Sequence, residues 1–577
     1  MDHRQRYETW LSDDQILPEY REELKGLTSE KEIEDRFYKD LEFGTAGLRG
    51  ILGAGTNRMN EHTVGKASLG LARYLKTHFG SARIVIAYDS RIKSPEFAEM
   101  TARIMAEEGH TAFLFDSLRP VPLLSFAVRH LKADSGIVIT ASHNPSEYNG
   151  YKVYSSYGGQ VTDLEADKIL EEIQKVTSFS EIKAKDHAEA IKDGSIVIIG
   201  EEVDRAYYES IKTLTIKEGL VKEKASLLKV IYTPLHGSGN VPIRTVLKEQ
   251  GYSQVHVVPE QEKPDGTFPT APYPNPESPA VFKLALDMNQ EIEADLIFGT
   301  DPDCDRLGAI VRDSEGKTQV LSGNQTGMLI THYMLRALQE EGTLPDNGVV
   351  IKTIVTTESV RNIAAKYGVE VMDVLTGFKY IGEKIEEFQD TGSHSFIFGF
   401  EESFGYSLGT FTRDKDAVVT AMMLCEMALY YKTRGMTLYD ALMECYEEFG
   451  YFREGLLSYT RKGKEGQEEI RASMEYFQAL DLTEVNGVPV IKKQNFLTSE
   501  EYAQDGTITK LTLPSANVVK FMLADDSWFV IRPSGTEPKM KAYTAVKGTS
   551  LEDSELRLQK FSSFVEELVD KSFKAES

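Results

Sequence analysis

The stretch Ser135–Tyr154, SGIVITASHNPSEYNGYKVY, opens as an apolar run and continues as a polar loop broken by a proline. SGIVIT is short and nearly continuous in apolar residues, the pattern of a strand buried on both faces. At its carboxyl end stand Ser142, His143 and Asn144, then Pro145, with Lys152 close behind. In open α/β sheets, ligands collect beyond the carboxyl ends of strands. The reading of the chain turns on whether this arrangement recurs.

Upstream, ARIVIAYDS (82–90), SPEFAEMTARIMAEEG (94–109) and TAFLFD (111–116) alternate strand, amphipathic helix and strand. The alternation returns in LLKVIYTPLHGSG (227–239), VPIRTVLKEQG (241–251) and VHVVPE (255–260), and again in NGVVIKTIVTT (347–357), SVRNIAAKYG (359–368) and VEVMDVLTG (369–377). It predicts α/β units with largely parallel sheets. Three such blocks predict three similar mixed-sheet α/β domains, alike in architecture and not as a sequence repeat. Past about Tyr451 the chain is more polar, with a helical pattern at its C-terminal end, and reads as a smaller α+β domain. The expected division is 1–205, 206–320, 321–450 and 451–577. The first of these segments begins with a charged, helix-like extension. There SEKEIEDRF (29–37) offers a capping box, and the glycine-rich turn FGTAGLRG (43–50) follows. FPTAPYPNPESP (268–279) reads as an ordered loop within the second block.

At 577 residues, 41% apolar and 27% charged, the chain fits a soluble globular protein of several domains. The start, MDHRQRYETW, has no signal-peptide core, and no run reaches the ~18 apolar residues of a membrane span. Cys304, Cys425 and Cys445 form no CxxC pair, which suits a reducing cytoplasm and argues against disulfides or structural zinc. A net charge of −25 disfavours nucleic-acid binding. An anionic substrate would have to be met by cations gathered locally against that field.

Four loops at strand ends carry unusual chemistry. In the first, Ser142 is the candidate nucleophile. No GxSxG elbow is present, so a hydrolase triad is poorly supported. A phosphoryl-carrying serine needs instead a cation and positive side chains around the transferring oxygens. In ADLIFGTDPDCDRLG (294–308), Asp301, Asp303 and Asp305 alternate after a strand, followed by Arg306. Carboxylates this close require compensation, and oxygen-only ligands suit Mg²⁺. A lone DxD is more often a solvated turn, but three Asp behind an apolar strand are not well explained that way. In FIFGFEESFGY (396–406), Glu401, Glu402 and Ser403 could bond sugar hydroxyls, with Arg413 and Lys415 near in TRDKDA; an acidic helix start is the alternative. In WFVIRPSGTEPKMK (528–541), Arg532, Ser534, Gly535 and Thr536 suit a phosphate, although no Walker A motif is present; an ordinary turn is the alternative.

TASHNP (140–145), DPDCDR (301–306), GFEESFG (399–405) and RPSGTEPK (532–539) together resemble the loops of the α-D-phosphohexomutase superfamily, in the expected order along nearly the whole chain. The resemblance is closest to the long bacterial phosphoglucomutase type with an FGTAGLRG loop, related to animal phosphopentomutase and glucose-1,6-bisphosphate synthase. It implies four domains around a central cleft, with one loop from each. It implies a phosphoserine at Ser142, and Mg²⁺ held by Asp301, Asp303, Asp305 and the Ser142 group. It further implies sugar contacts from Glu401 and Ser403 and a phosphate site at Arg532, Ser534, Gly535 and Thr536. Arg49, His143, Lys152, Arg306, Lys379 in TGFKYIG (376–382) and Lys415 would surround the transferring phosphate.

The implied activity is an isomerase, an intramolecular phosphotransferase interconverting glucose 1-phosphate and glucose 6-phosphate, with glucose 1,6-bisphosphate as intermediate and activator. Phosphomannomutase, phosphopentomutase or bisphosphate synthase activity on the same scaffold are alternatives, as is a metal-dependent sugar phosphatase. The expected protein is cytoplasmic, a monomer or weak homo-oligomer, with no nucleic-acid or membrane partner.

Overall fold

A computed structural model describes residues 2–44, 47–461, 463–534 and 539–574. Among them are four sheets. In the first, the parallel strands Ile196–Ile199, Thr111–Phe115, Arg83–Tyr88 and Ser135–Ile139 lie side by side. Tyr148–Ser155 and Gly47–Ile51 then follow antiparallel. The second runs Gln254–Val257, Lys229–Thr233 and Leu296–Thr300 in parallel, then Leu307–Arg312 and Thr318–Val320 antiparallel. The third has Glu370–Val374, Gly348–Thr353 and Ser395–Glu401 in parallel, then Gly405–Leu408 antiparallel. The fourth pairs its strands antiparallel throughout and carries the helices Gly463–Ala479 and Leu551–Lys574.

The expected parallel order thus holds for the strands on one side of each of the first three sheets. Each of these sheets then turns back on itself, and the connection at that reversal is a candidate site loop. The third sheet makes this plain. FGFEESFGY is a hairpin from Ser395–Glu401 to Gly405–Leu408, not a helix start. The turn FGTAGLRG likewise becomes a strand from Gly47 onward, paired with Tyr148–Ser155. Gly47 sits at φ 143, and a Cβ there would lie 1.8 Å from the Tyr151 carbonyl oxygen, so only glycine permits this pairing.

The N-terminal extension folds as the helices His3–Ser12, Pro18–Lys25 and Glu30–Phe37 around Trp10, Tyr20, Leu24 and Phe37. The capping box at Ser29 forms by half. Its side chain accepts from the Glu32 N–H, but the Glu32 carboxylate turns down the helix to Arg36 at 3.0 Å. Arg36 and Glu23 then hold Ala54 by its carbonyl and N–H, tying the extension to the chain just beyond the strand that carries Arg49.

One apolar cluster runs from Val85 to Phe449 and joins the first three sheets. At its centre the helix Ala417–Lys432 is buried along Ala417–Tyr431, as an all-round apolar helix must be. Its one carboxylate, Glu426, accepts from the N–H groups of Ile216 and Lys217 and from the Tyr333 hydroxyl. Burial pushes its pKa up, and those donors oppose the shift. No described helix is long and apolar enough to cross a membrane. Truncating Glu426 to Ala leaves the two N–H groups without this acceptor. A loss of about 2–4 kcal/mol of stability is expected in denaturant unfolding, with KM unchanged because the site lies elsewhere.

Candidate active site

Ser142 follows the strand Ser135–Ile139 in a left-handed conformation, φ 52, uncommon for a residue with a Cβ. Its N–H donates to Thr140 Oγ1 at 2.8 Å, and that hydroxyl donates to Asp89 Oδ2 at 2.6 Å. The loop is also held from below by Arg91. Its guanidinium donates to the carbonyls of Pro145 (2.8 Å), Tyr148 (3.0 Å), Ser142 and Asn144, and its Nε lies 3.4 Å from Asp89. Both members of this pair are fully buried. The sequence reading passed over Asp89 and Arg91. Their only signal is the polar YDSR that ends a core strand.

The Ser142 hydroxyl is buried and donates to Asp301 Oδ2 at 2.8 Å, with His143 Nδ1 3.2 Å away. His143 therefore does approach the hydroxyl, which adjacency alone did not guarantee. Burial, then Arg306 and Arg49, hold its pKa well below the usual range.

Asp301, Asp303 and Asp305 come from the hairpin between Leu296–Thr300 and Leu307–Arg312, and their ligand atoms lie within 4.8 Å of one another. All three are buried. Burial and the other two carboxylates push Asp301 well up. Asp305 goes the other way: although burial opposes it, Lys415 and Lys152 pull it down. Lys152 Nζ lies 2.8 Å from Asp303 and 3.7 Å from Asp305; Lys415 Nζ lies 3.2 Å from Asp305. Asp303 Oδ1 and Asp305 Oδ1 are buried without a hydrogen-bond partner. Buried carboxylate oxygens without partners, in a group of three carboxylates so close together, are what a hard divalent cation needs, so the donor set fits Mg²⁺.

The hairpin is backed by LHGSG. Ser238 bonds the Pro302 carbonyl through both N–H and Oγ, each at 2.8 Å. A Cβ at Gly237 would stand 2.5 Å from Pro302 Cα.

The third loop meets the second directly. Arg306 donates to the Ser403 carbonyl at 2.9 Å and to Glu277 at 2.6 Å. Glu277 lies in FPTAPYPNPESP, so the ordered loop expected there reaches Arg306, a contact that the sequence reading did not give. Tyr273 from the same loop stands edge-on to His143 at 6.1 Å. Glu401 is buried at the strand end and Ser403 is half-buried. Glu402 accepts from the Thr353 and Thr356 hydroxyls, and burial and Glu401 raise its pKa.

The remaining cations divide. Arg49 is exposed, and its charge acts on His143, Lys152 and Arg91, which places it at the mouth of this group. Lys379 reaches instead across to Asp163 at 2.6 Å. Arg413 is fully buried against Glu386 and the carbonyls of Thr410 and Thr412, a structural role.

In the fourth loop, Arg532 lies opposite Lys541 on the paired strand, and the Ser534 N–H closes the turn onto the Lys539 carbonyl at 2.7 Å. Gly535 and Thr536 lie outside the described residues. Burial, then Arg532, lowers the pKa of Lys541, which faces Glu402, Glu277 and Arg306. Lys541 is a further cation here that the sequence reading did not single out.

Three reversals thus bring together a buried hydroxyl, three buried carboxylates and, through Arg306, the Ser403 loop, among lysines from separate segments, an arrangement suited to phosphoryl transfer. Comparison with known proteins agrees. The phosphoglucomutase/phosphomannomutase alpha/beta/alpha domains I, II and III match residues 40–180, 205–316 and 322–449. The phosphoglucomutase of Staphylococcus haemolyticus is 37% identical over 521 residues, 90% of this chain and 92% of that protein. That of Staphylococcus aureus (strain bovine RF122 / ET3-1) is 36% identical over 552 residues, 95% and 96% of the two chains. Among solved structures, the phosphoglucomutase parafusin from Paramecium, in its open form, matches with a TM-score of 0.67 at 16% identity, over 92% of this chain and 95% of its own. The chain belongs to the phosphoglucomutase/phosphomannomutase family of the α-D-phosphohexomutase superfamily.

A lysine at Arg91 keeps the charge but not the fork that reaches four carbonyls. Arg91→Lys is expected to release Ser142 from its left-handed conformation and lower kcat about a hundredfold, in a protein whose circular dichroism is unchanged. Turnover within threefold of wild type would show that the loop holds itself.

Proposed function

We propose that the protein is a phosphoglucomutase, interconverting α-D-glucose 1-phosphate and glucose 6-phosphate through a phosphoryl group carried on Ser142. The observation that carries this reading is the buried Ser142 hydroxyl, 2.8 Å from Asp301 inside a ring of cations. The staphylococcal relatives named phosphoglucomutase support glucose as the sugar. We take the segments 1–205, 206–320, 321–450 and 451–577 as the working units, each supplying one loop.

Asp301, Asp303, Asp305 and the Ser142 oxygen would hold Mg²⁺, which offsets charge on the transferring oxygens. Lys152, Lys415, Arg306 and Arg49 supply the rest of the positive field, the local gathering that a chain of net charge −25 requires. In the first transfer the bond from Ser142 Oγ to phosphorus breaks as the sugar O6 bonds to it; O6 gives up its proton and Ser142 Oγ takes one up. The resulting glucose 1,6-bisphosphate turns over in the cleft. In the second transfer the bond from O1 to phosphorus breaks as Ser142 Oγ bonds to it; Ser142 Oγ gives up its proton and O1 takes one up. A neutral His143 imidazole beside Oγ is competent to carry such a proton. Arg532, Ser534, Lys541 and, from sequence, Gly535 and Thr536 receive the non-reacting phosphate, whichever end of the sugar bears it. Glu401 and Ser403 bond the ring hydroxyls. Added glucose 1,6-bisphosphate restores phosphoserine lost to water. Lys379 joins the phosphate once it leaves Asp163. The three cysteines are free and buried, in keeping with a cytoplasmic enzyme.

The test is a panel of glucose, mannose and ribose 1-phosphates with Mg²⁺ and trace bisphosphate. The highest kcat/KM is expected for glucose 1-phosphate, with 6-phosphate formed and no inorganic phosphate. A preference for ribose 1-phosphate would give the reading to phosphopentomutase, and accumulation of inorganic phosphate would give it to a phosphatase.

A further inference from the structure

The fourth sheet rests on the third through an apolar cluster of Ile354, Val355, Leu375, Trp528, Val530 and Tyr543. Apolar contact is non-directional and does not by itself fix how one sheet sits upon another. Inside this interface lies an ionic group that the transfer chemistry does not use. Lys520, only 3% exposed, stands on the strand Val519–Leu523 above the Trp528 ring, 4.5 Å from its centroid. Its Nζ donates to the Ile354 carbonyl at 2.9 Å and lies 3.4 Å from Glu358. Glu358 also pairs with Lys352 at 3.2 Å and Arg361 at 2.7 Å, and Asp373 completes the group from the adjoining strand.

Both ends of this contact lead to the substrate loops. Lys520 pairs in register with Val530, two residues before Arg532 on the same strand. Lys352 pairs with Phe400, next to Glu401, while Thr353 and Thr356, on either side of Ile354, donate to Glu402. The contact therefore spans from the strand of the phosphate loop to the segment that carries the sugar loop.

We propose that Lys520 is a positioning residue for the substrate: its contact with Ile354 and Glu358 sets the separation between the phosphate-binding Arg532 and the sugar-reading Glu401. A buried ion pair is suited to this work, because its directional contacts reject the shifted dockings that an apolar patch tolerates. The inference rests on the reading of Arg532 as a phosphate ligand.

The test measures KM and kcat for glucose 1-phosphate in the full-length Lys520→Met, Glu358→Gln and Arg532→Ala proteins. A loosened separation weakens phosphate and sugar contacts together, so KM should rise about five- to tenfold in Lys520→Met while kcat per folded molecule changes little. Simple destabilisation would lower the active fraction and leave KM alone. Glu358→Gln keeps the shape and removes the charge; it should raise KM about threefold, and it carries the test if Lys520→Met does not fold. KM within twofold of wild type in the folded variants overturns the positioning role of Lys520 when Arg532→Ala raises it. If Arg532→Ala also leaves KM unchanged, the phosphate-site reading falls and the positioning role with it.

Discussion

Three buried carboxylates within 4.8 Å of one another are the constraint around which the molecule is arranged. Like charges at such spacing in a poorly solvated site cannot all stay ionised without compensation. The compensation does not come from their own sheet alone. Lys152 reaches them from the first sheet and Lys415 from the chain after the third, and Arg306 continues the network to Ser403 and Glu277. Balancing the charge and assembling the domains are thus one task.

The loops share a backbone solution. Each of the first three lies where the last strand of a parallel set folds back into an antiparallel partner. Each contains one residue other than glycine in the left-handed region: Ser142, Cys304 and Phe404. Such conformations persist only where surroundings over-determine them. Around Ser142 those surroundings are visible: Thr140, Asp89 and the Arg91 fork fix the serine before any substrate arrives.

What was legible in the sequence was whatever a short window could hold. SGIVIT announced a buried strand, and three Asp behind LIFGT announced a carboxylate cluster, because residue type and position were both local. The return strands were not legible. YNGYKVYS mixes polar and aromatic residues, and nothing in it states that it pairs back onto the strand before it. Arg91 was missed for a related reason: its carbonyl partners lie more than fifty residues along the chain. Lys379 was read by motif as facing the phosphate, whereas in this structure the Asp163 carboxylate holds it. Glu277 sat in a proline-rich loop read only as ordered; its partner Arg306 lies 29 residues on and could not be seen in a short window.

The central claim is that Ser142 carries the phosphoryl group between substrate molecules. It is tested most directly with glucose 1-phosphate labelled in its phosphate, given to the phosphorylated enzyme and quenched early, with the label then mapped to a peptide. The account requires label on Ser142 alone and a first glucose 6-phosphate that is unlabelled, because its phosphate came from the enzyme. Label lost as inorganic phosphate, found on another residue, or retained in the first glucose 6-phosphate would contradict it.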